Sequence, residues 1–311
     1  NGLNELGNSI ESVVGTVKNK KVLDIGCNDG TLLDILSEKG AITYGIEPTD
    51  AFKDALGKKH IVYNKYFDED MVSKFRDDKI FPDIITFTNV FAHIENLNDL
   101  INNLKSIMHS KTIICIENHY LGSILAKNQF DTFYHEHPRT YSLNSFKHIA
   151  KQMNMKISKF EFPNRYGGNI RVFISNQNKL NEYIAEDFDY IKLFYNLNCD
   201  MNDWIKNKRR ELEEYFEIYG TLPAKAFPGR AAILIKLLGL TEDNISAVYE
   251  IKGSIKTGFY VPGTKIPILP EAELYKKKQQ KPIINLAWHI SDAVKNNLRS
   301  NKYMAEVIDI K

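Results

Sequence analysis

Apolar runs alternate with amphipathic segments along most of the chain. The first run, residues 21–25, ends in a glycine-punctuated turn, and an amphipathic stretch at residues 31–39 follows at once. Further apolar runs follow, separated by segments whose apolar residues have helical spacing, at residues 41–46, 61–66, 82–89 and 111–117. Strands that alternate with helices in this way predict an α/β fold with a parallel, doubly wound sheet.

The second half of the chain predicts a smaller α/β unit. Two strands are expected at residues 157–162 and 169–174, and residues 179–220 have the pattern of two long helices. Strands and helices alternate again from residue 222, which is typical of a Rossmann-like unit. We therefore predict three parts, a first α/β domain, a helical bridge and a second domain, over residues 1–176, 177–220 and 221–311.

The turn after the first strand, Asp-Ile-Gly-Cys-Asn-Asp-Gly (24–30), carries the strongest functional signal. Its glycines let the backbone approach a ligand, and Glu47 at the end of the second strand is placed to hold a ribose. The turn lacks the spacing of a pyrophosphate site, and Asp24 would attract a cationic amino-acid group. S-adenosylmethionine carries both an amino acid and a ribose. The predicted cofactor residues of this class I methyltransferase site are Asp24, Gly26, Asn28, Gly30, Glu47, Phe67 and Asn89.

Composition narrows the range of partners. The chain has 41 basic and 39 acidic residues, a net charge of +2, so nothing favours general attraction to nucleic acid or membranes. Its 3 cysteines lack zinc-ligand spacing, which predicts no metal site and a reducing, cytoplasmic setting. No apolar run reaches membrane-spanning length, and no signal peptide is recognised. The chain begins with Asn1 rather than methionine, which leaves open a missing N-terminal segment.

Titratable residues cluster in the segment that follows the strand ending at Glu117. This segment contains His119, Tyr120 and Tyr-His-Glu-His (134–137), and His93 follows the preceding strand. A long loop at the carboxyl edge of a sheet is usually functional, and histidine is the commonest general base. A zinc site is disfavoured because side chains of adjacent residues point in different directions. The cluster therefore predicts acid–base chemistry beside the cofactor.

Five motifs in order give the chain a resemblance to the nucleotide-sugar C-methyltransferases, which act in deoxysugar pathways. They are residues 24–30, Asn-Val-Phe-Ala-His (89–93), Tyr-His-Glu-His (134–137), Gly-Gly-Asn-Ile-Arg-Val (167–172) and Tyr-Val-Pro-Gly-Thr-Lys-Ile-Pro-Ile (260–268). The resemblance implies a zinc-binding N-terminal domain, a central methyltransferase domain and a C-terminal Rossmann-like domain, with the substrate between the last two. The cysteine-rich zinc domain has no counterpart in this sequence.

The resemblance also implies roles for individual residues. His137 matches the general base, Glu136 and Tyr134 match its active-site partners, and His93 matches a histidine near the substrate. The implied substrate is a nucleotide-linked 4-keto-6-deoxy sugar, because a C–H bond next to a ketone is acidic enough for a positioned base. His137 would remove the proton from C3, and Tyr134 or His93 would stabilise the enolate before it attacks the methyl group.

The substrate-binding residues that we predict are Gly168, Arg171, Lys225, Arg230 and Arg139. Arg171, together with Lys225 or Arg230, would meet the diphosphate. Arg139 follows His137 in a segment where the family has a more apolar run, so it would read a different substituent.

Three other functions stay open at this point. An O- or N-methyltransferase acting on a sugar nucleotide or polysaccharide precursor needs the same cofactor site but no ketone. A non-catalytic nucleotide-sugar-binding protein would keep the fold without turnover. A nicotinamide-dependent enzyme is disfavoured by the spacing of the glycine turn. The sequence does not indicate the sugar, the nucleotide or the oligomeric state.

Overall fold

Strand β1 (Lys21–Ile25) lies inside a sheet in a computed structural model of the chain, with neighbours on both sides. The structure describes residues 2–134, 136–165, 167–176, 188–277 and 279–311. The chain divides into two units, of which the first is Asn1–Lys127 with His135–Phe188. The second unit is Asn128–Tyr134 with Asp189–Lys311.

In the first unit, the described residues form one seven-stranded sheet. Its other strands are β2 (Ile42–Ile46), β3 (Ile61–Tyr63), β4 (Ile84–Thr88), β5 (Ile113–His119), β6 (Lys156–Glu161) and β7 (Asn169–Ser175). The order is β3-β2-β1-β4-β5-β7-β6. Neighbours among β1 to β5 are parallel, whereas β7 is antiparallel to β5 and to β6. The sheet is therefore mixed rather than wholly parallel, because the short link between β6 and β7 does not allow a parallel crossover.

The helices of the first unit cover both faces of this sheet. They are α1 (Gly2–Val14), α2 (Thr31–Glu38), α3 (Phe52–Leu56), α4 (Glu69–Asp77), α5 (Leu97–Ile107), α6 (Leu121–Ala126) and α7 (Leu143–Gln152). Leu6 and Ile10 of α1 are buried against one face, together with Phe173 of β7. Helices α4, α5 and α7 pack their apolar sides on the opposite face. Ser142 caps the N-terminus of α7, where Ser142 and Ser145 form a reciprocal capping box.

The segment after β5 is less loop-like than the sequence analysis predicts. Strand β5 continues past Glu117 to His119, and α6 follows directly. A short 3₁₀ helix, Phe130–Thr132, comes next and is grouped with the second unit. Both helices are too short, at 6 and 3 residues, to show a helical period in the sequence, so the predicted long loop is wrong for a good part of its length.

The second unit contains a five-stranded parallel sheet among its described residues. Its elements are α8 (Tyr190–Tyr219), β8 (Leu222–Lys225), α9 (Ala231–Leu238), β9 (Ile245–Glu250), β10 (Ile268–Pro270), α10 (Glu271–Tyr275), β11 (Ile283–Asn285), α11 (Ser291–Ser300) and β12 (Val307–Asp309). The strand order is β10-β9-β8-β11-β12, and every pairing is parallel. This order places β8 in the middle with strands added on both sides, so the predicted Rossmann-like architecture is observed.

Helix α8 differs from the predicted bridge of two helices. It is one helix of 30 residues that begins at Tyr190 and is grouped with the second unit. Residues 177–187, where the first of the two helices was expected, lie outside the described residues. Within the described ranges, no helix combines the length and the apolarity that a membrane crossing requires.

A buried ion cluster joins β5, β7 and β6. Arg171 is completely buried, and its guanidinium lies 2.7 Å from Glu117 Oε2 and 2.7 Å from Glu161 Oε2. Glu117 is also completely buried, and Arg165 Nη1 lies 2.8 Å from its other oxygen. Since charges in a protein interior need compensation, Arg171 holds two carboxylates that would otherwise be costly to bury.

We expect Arg171→Met to lower the free energy of unfolding by about 3–5 kcal/mol, because it leaves the carboxylate of Glu117 buried without its main partner. The control is Lys159→Met, which removes a partly exposed cation 2.5 Å from the same Glu161. That variant is expected to lose less than about 1 kcal/mol. Urea unfolding of both variants measures the difference. Equal losses would contradict the structural role assigned to Arg171.

Candidate active site

The glycine turn after β1 adopts the backbone conformations that its sequence predicts. Gly26 and Gly30 have φ angles of 76° and 77°, and Asn28 between them has a φ of 50°. A Cβ atom at Gly26 would lie 2.3 Å from Cγ2 of Val90, which follows β4. Glycine at this position therefore serves both the left-handed turn and the close approach of the β4 terminus.

Glu47 closes the turn from the end of β2. Its Oε2 accepts a hydrogen bond of 3.0 Å from the Asn28 backbone N–H. Its Oε1 accepts from the backbone N–H and the hydroxyl of Thr49, at 2.9 and 2.6 Å. A carboxylate has about four acceptor positions, so Glu47 keeps capacity to accept from the hydroxyls of a ligand.

Asp24 is a buried carboxyl group without a cationic partner among the described residues. Only 2% of its surface is exposed, and its Oδ1 accepts a hydrogen bond of 2.6 Å from the Thr86 hydroxyl. Burial and the negative charge of Glu47 raise the pKa of Asp24 to about 7, although the Thr86 hydrogen bond opposes the shift. Asp24 and Glu47 thus create a place where a positive charge would be stabilised.

Polar groups without partners lie at the ends of β4 and β5. The Oγ1 of Thr88 and the Nδ2 of Asn118 are buried and have no hydrogen-bond partner in the described structure. Asn89, just after β4, has a φ of 55°, and its Oδ1 accepts a 3.2 Å hydrogen bond from Asn169. Because buried polar groups are almost always paired, such atoms at a sheet edge indicate a place for a ligand.

Three imidazole rings of the first unit lie together at this edge. The His93 and His137 ring centroids are 4.8 Å apart, and those of His119 and His137 are 5.4 Å apart. His93 Nδ1 lies 2.6 Å from the backbone carbonyl oxygen of Glu136. A carbonyl oxygen only accepts, so His93 carries a proton on Nδ1. Within the described residues, no group of three ligating side chains has a geometry that would hold a metal ion.

The other predicted catalytic residues are placed differently. Glu136 is exposed, and it meets His93 through its backbone carbonyl rather than through its carboxylate. Tyr134 is half-buried and grouped with the second unit. Phe67, predicted to contact the cofactor, is half-buried and packs against the large apolar cluster of the first unit.

The predicted diphosphate contacts are not supported by the placement of the three cations. Arg171 is enclosed in its ion cluster with Glu117. Lys225 is 2% exposed, and its Nζ lies 2.5 Å from Glu271. Arg230 binds Asp131 through two nitrogens. Each of these charges is already compensated by a carboxylate of its own unit, which the sequence analysis did not anticipate.

The two remaining substrate residues have local structural contacts. Gly168 has a φ of 126°, and a Cβ atom there would lie 2.5 Å from Ser123 Oγ, so the glycine allows β7 to approach α6. Arg139 donates from Nη1 to the backbone carbonyl of Ile94. This bond ties the segment after His137 to the segment after His93, and so helps to keep the two histidines together.

His119 is the site residue that the predicted catalytic set lacks. It ends β5 and pairs with Asn169 across the sheet. The sequence signal was its position at the carboxyl end of a buried strand, in the same segment as the Tyr-His-Glu-His motif. The predicted strand end at Glu117 placed His119 in a loop instead, and this hid its proximity to His137.

Comparison with protein families divides the chain in two. Residues 7–159 match a methyltransferase domain family, and residues 164–306 match the C-methyltransferase C-terminal domain. The α/β fold and the cofactor-type turn define the class, that of S-adenosylmethionine-dependent methyltransferases. The two matches follow one another along most of the chain, which therefore combines a methyltransferase domain with a C-methyltransferase C-terminal domain.

Similar curated proteins include methyltransferases with different acceptors. The C-methyltransferase NovU of Streptomyces niveus is 21% identical over 267 residues, which are 82% of this chain and 63% of NovU. The ubiquinone biosynthesis O-methyltransferase of Coxiella burnetii is 30% identical over 97 residues, 30% of this chain and 41% of that protein. The chain therefore spans less than two thirds of the length of either relative.

Similar solved structures include methyltransferases. One is a SAM-dependent methyltransferase from Archaeoglobus fulgidus, with a TM-score of 0.43, 20% identity, and coverage of 51% of this chain and 72% of that one. Another is the magnesium protoporphyrin IX methyltransferase ChlM from Synechocystis PCC 6803 with bound SAH. Its TM-score is 0.43 at 16% identity, with coverage of 56% of this chain and 84% of ChlM.

We expect Asp24→Asn to stabilise the ligand-free protein above neutral pH. The folded-state pKa of Asp24 lies above its ordinary value, so the wild type loses stability as pH rises from about 4 to about 7. The variant lacks this loss, and its advantage should be absent near pH 4 and fully developed at pH 8. Thermal unfolding at several pH values measures it.

The matched control for this prediction is Asp29→Asn in the same turn. Burial is the largest single effect on Asp29 and would raise its pKa. The hydrogen bonds that its carboxylate accepts from the backbone N–H and the hydroxyl of Thr31, together with the charge of Lys58, outweigh burial and lower that pKa. Its substitution should therefore bring no gain at pH 8. An Asp24 variant that is less stable than the wild type at pH 8 would contradict the assignment of Asp24 as an uncompensated carboxyl group.

Proposed function

We propose that this protein transfers a methyl group from S-adenosylmethionine to C3 of a nucleotide-linked 4-keto-6-deoxy sugar. The observation that carries the proposal is the cluster of His93, His119 and His137 at the ends of β4 and β5. Methylation at carbon requires a base that removes a C–H proton, and imidazole is suited to this task near neutral pH. The two family matches and the motifs in the sequence support the same reaction.

The residues at the ends of β1 and β2 fit the cofactor. The uncompensated carboxyl group of Asp24 suits a cationic ligand, and Glu47 retains acceptor capacity for ribose hydroxyls. Gly26, Asn28 and Gly30 supply the turn, and the proposed site continues along the edge to Asn89 and Phe67. When bound, S-adenosylmethionine supplies an electrophilic methyl group. The protein's task is to hold that group and the acceptor carbon in near-attack geometry.

His137 is the proposed general base. Its neutral imidazole takes the proton from C3, and the electrons of that C–H bond become the enolate that attacks the methyl carbon. His93 already carries a proton on Nδ1, so its Nε2 donates to the enolate oxygen at C4 only when the ring is cationic. Tyr134 is the proposed neutral donor to the same oxygen.

The residues proposed to bind the substrate lie outside the histidine cluster. We assign Arg139 and Gly168 to the neighbourhood of the sugar, on the strength of the sequence motifs. The internal pairing of Arg171, Lys225 and Arg230 argues against a diphosphate contact by these cations. Cys27, Cys115 and Cys199 are free thiols, as expected for the cytoplasmic setting that we propose.

O-methylation of a related acceptor is the competing function. The 97-residue match to an O-methyltransferase is the observation that favours it. An O-methyltransferase activates a hydroxyl group and does not exchange a carbon-bound proton. Solvent exchange at the sugar carbon therefore separates the two reactions.

We expect the protein to introduce deuterium at C3 of a nucleotide-linked 4-keto-6-deoxyhexose in heavy water when S-adenosylhomocysteine replaces the methyl donor. With S-adenosylmethionine, the sugar should gain one methyl group instead. His137→Gln should lower both rates by roughly 10²-fold or more, because it removes the general base. Mass spectrometry of the sugar measures both products.

His148→Gln is the control, since His148 lies on the exposed side of α7, where its Nε2 is 3.2 Å from Nε2 of Gln152. It should keep the activity of the wild type. Methyl gain without any exchange at C3 would favour O-methylation. A His137 variant that binds S-adenosylhomocysteine normally and retains full exchange would contradict the assigned base.

A further inference from the structure

The strand order of the second sheet defines the position at which open α/β sheets usually have a ligand crevice. The order changes direction between β8 and β11, and ligands bind beyond the carboxyl ends of the strands at such a point. Arg230 lies in the turn after β8, directly before α9, and Trp288 lies just after β11. These residues would be expected to face a bound anion or nucleotide.

A carboxylate of the chain itself occupies this position. Asp131 is completely buried, and its oxygens accept from Arg230 Nε and Nη2 at 2.7 and 2.8 Å. The indole Nε1 of Trp288 donates to the same carboxylate at 3.0 Å. Paired donors from one guanidinium make a strong and directional contact.

Lys311, beyond β12, completes the surroundings of Asp131. Its Nζ lies 3.4 Å from Asp131 Oδ1, 4.1 Å from the ring centroid of Phe130 and 4.7 Å from that of Trp288. It also donates to the backbone carbonyl of Asn128. Two cations and an indole therefore converge on one carboxylate, an arrangement that would otherwise suit an external anion.

The segment that carries Asp131 leads directly into the catalytic motif. Residues Asn128–Tyr134 are grouped with the second unit, although the chain before and after them belongs to the first. The chain returns to the first unit between Tyr134 and Glu136, within the Tyr-His-Glu-His motif. A shift of this segment would therefore be passed along the backbone to His137 within a few residues.

We propose that Asp131 and Arg230 are positioning residues, which fix the start of the catalytic motif by placing a carboxylate of the same chain at the usual ligand position of the second sheet. This inference rests on the proposed function for the role of His137. It also assigns Arg230 an internal partner in place of a substrate diphosphate. Loss of a positioning residue should lower kcat, whereas loss of a diphosphate ligand should raise the KM for the sugar nucleotide.

Arg230→Met tests the proposal. A positioning role lowers kcat and the rate of deuterium exchange at C3 about tenfold or more, because small displacements of a catalytic group reduce rates steeply. The KM for the sugar nucleotide and the affinity for S-adenosylhomocysteine should stay within about twofold of the wild type. Arg230→Lys, which keeps the charge but not the paired donors, should recover part of kcat.

Arg209→Met is the matched control. Arg209 donates to the carbonyl oxygens of Leu237 and Leu238, at the opposite end of α9 from Arg230. It should change stability but leave kcat near that of the wild type. A folded Arg230→Met enzyme with normal kcat would overturn the proposal, and so would a raised KM with unchanged kcat, which is the result for a diphosphate ligand.

Two further measurements keep the test decisive. If Arg230→Met does not fold, Asp131→Glu is the second variant. It keeps the charge and displaces the segment Asn128–Tyr134 by one methylene, and normal kcat in that variant would overturn the proposal.

If the wild type lacks activity on the ketosugar, the proposed function fails, but the imidazole resonances of His137 still report its positioning. They should shift in Arg230→Met and not in Arg209→Met, and unchanged resonances in both would overturn the inference.

Discussion

The parallel pairing of β1 with β2 and with β4, and of β4 with β5, is the constraint on which the candidate site depends. Parallel strands bring their carboxyl ends to one edge, so residues distant in sequence meet there. Ile25 is in register with both Ile46 and Phe87, and Thr88 with Glu117. This alignment brings the glycine turn, Glu47, Asn89 and the histidines to the same edge of the first sheet.

Charges inside the protein divide into those that are compensated and those that are not. Glu117 and Asp131 are completely buried, and each is held by an arginine of its own unit. Asp24 is almost as deeply buried, but its hydrogen bond comes from a hydroxyl group, and no cation among the described residues pairs with it. Since an unpaired buried carboxyl group lowers stability at neutral pH, its presence at the cofactor edge is best understood as a functional requirement.

The local features of the fold could be predicted from the sequence because they depend on neighbouring residues. The left-handed glycines after β1 and the Ser142 cap of α7 are examples. The carboxylate partners of the buried cations could not be predicted in this way. Arg171 meets a carboxylate 54 positions away, and Arg230 meets one 99 positions away. Such pairings are set by strand order and register, which no single segment of the sequence encodes.

The candidate site could be predicted from the sequence only where its residues lie near the ends of recognisable strands. Residues at or shortly after the ends of strands, such as Asp24, Glu47 and His93, were recognised from apolar runs and the polar residues that follow them. His119 was missed from the catalytic set because the predicted strand ended two residues too early, and the alternation of a strand decides which side chain meets His137. Asp131 was missed because nothing in the sequence around it indicates that a short segment joins the second unit.

The proposed reaction joins the methyl group to a carbon atom of the sugar, C3, and not to an oxygen atom. The most direct test is to supply S-adenosylmethionine labelled with carbon-13 in its methyl group, together with a nucleotide-linked 4-keto-6-deoxyhexose, and to record the carbon spectrum of the product. Methylation at C3 should give a methyl resonance with long-range correlations to ring carbons C2 and C4. A methyl resonance typical of a methoxy group would contradict it.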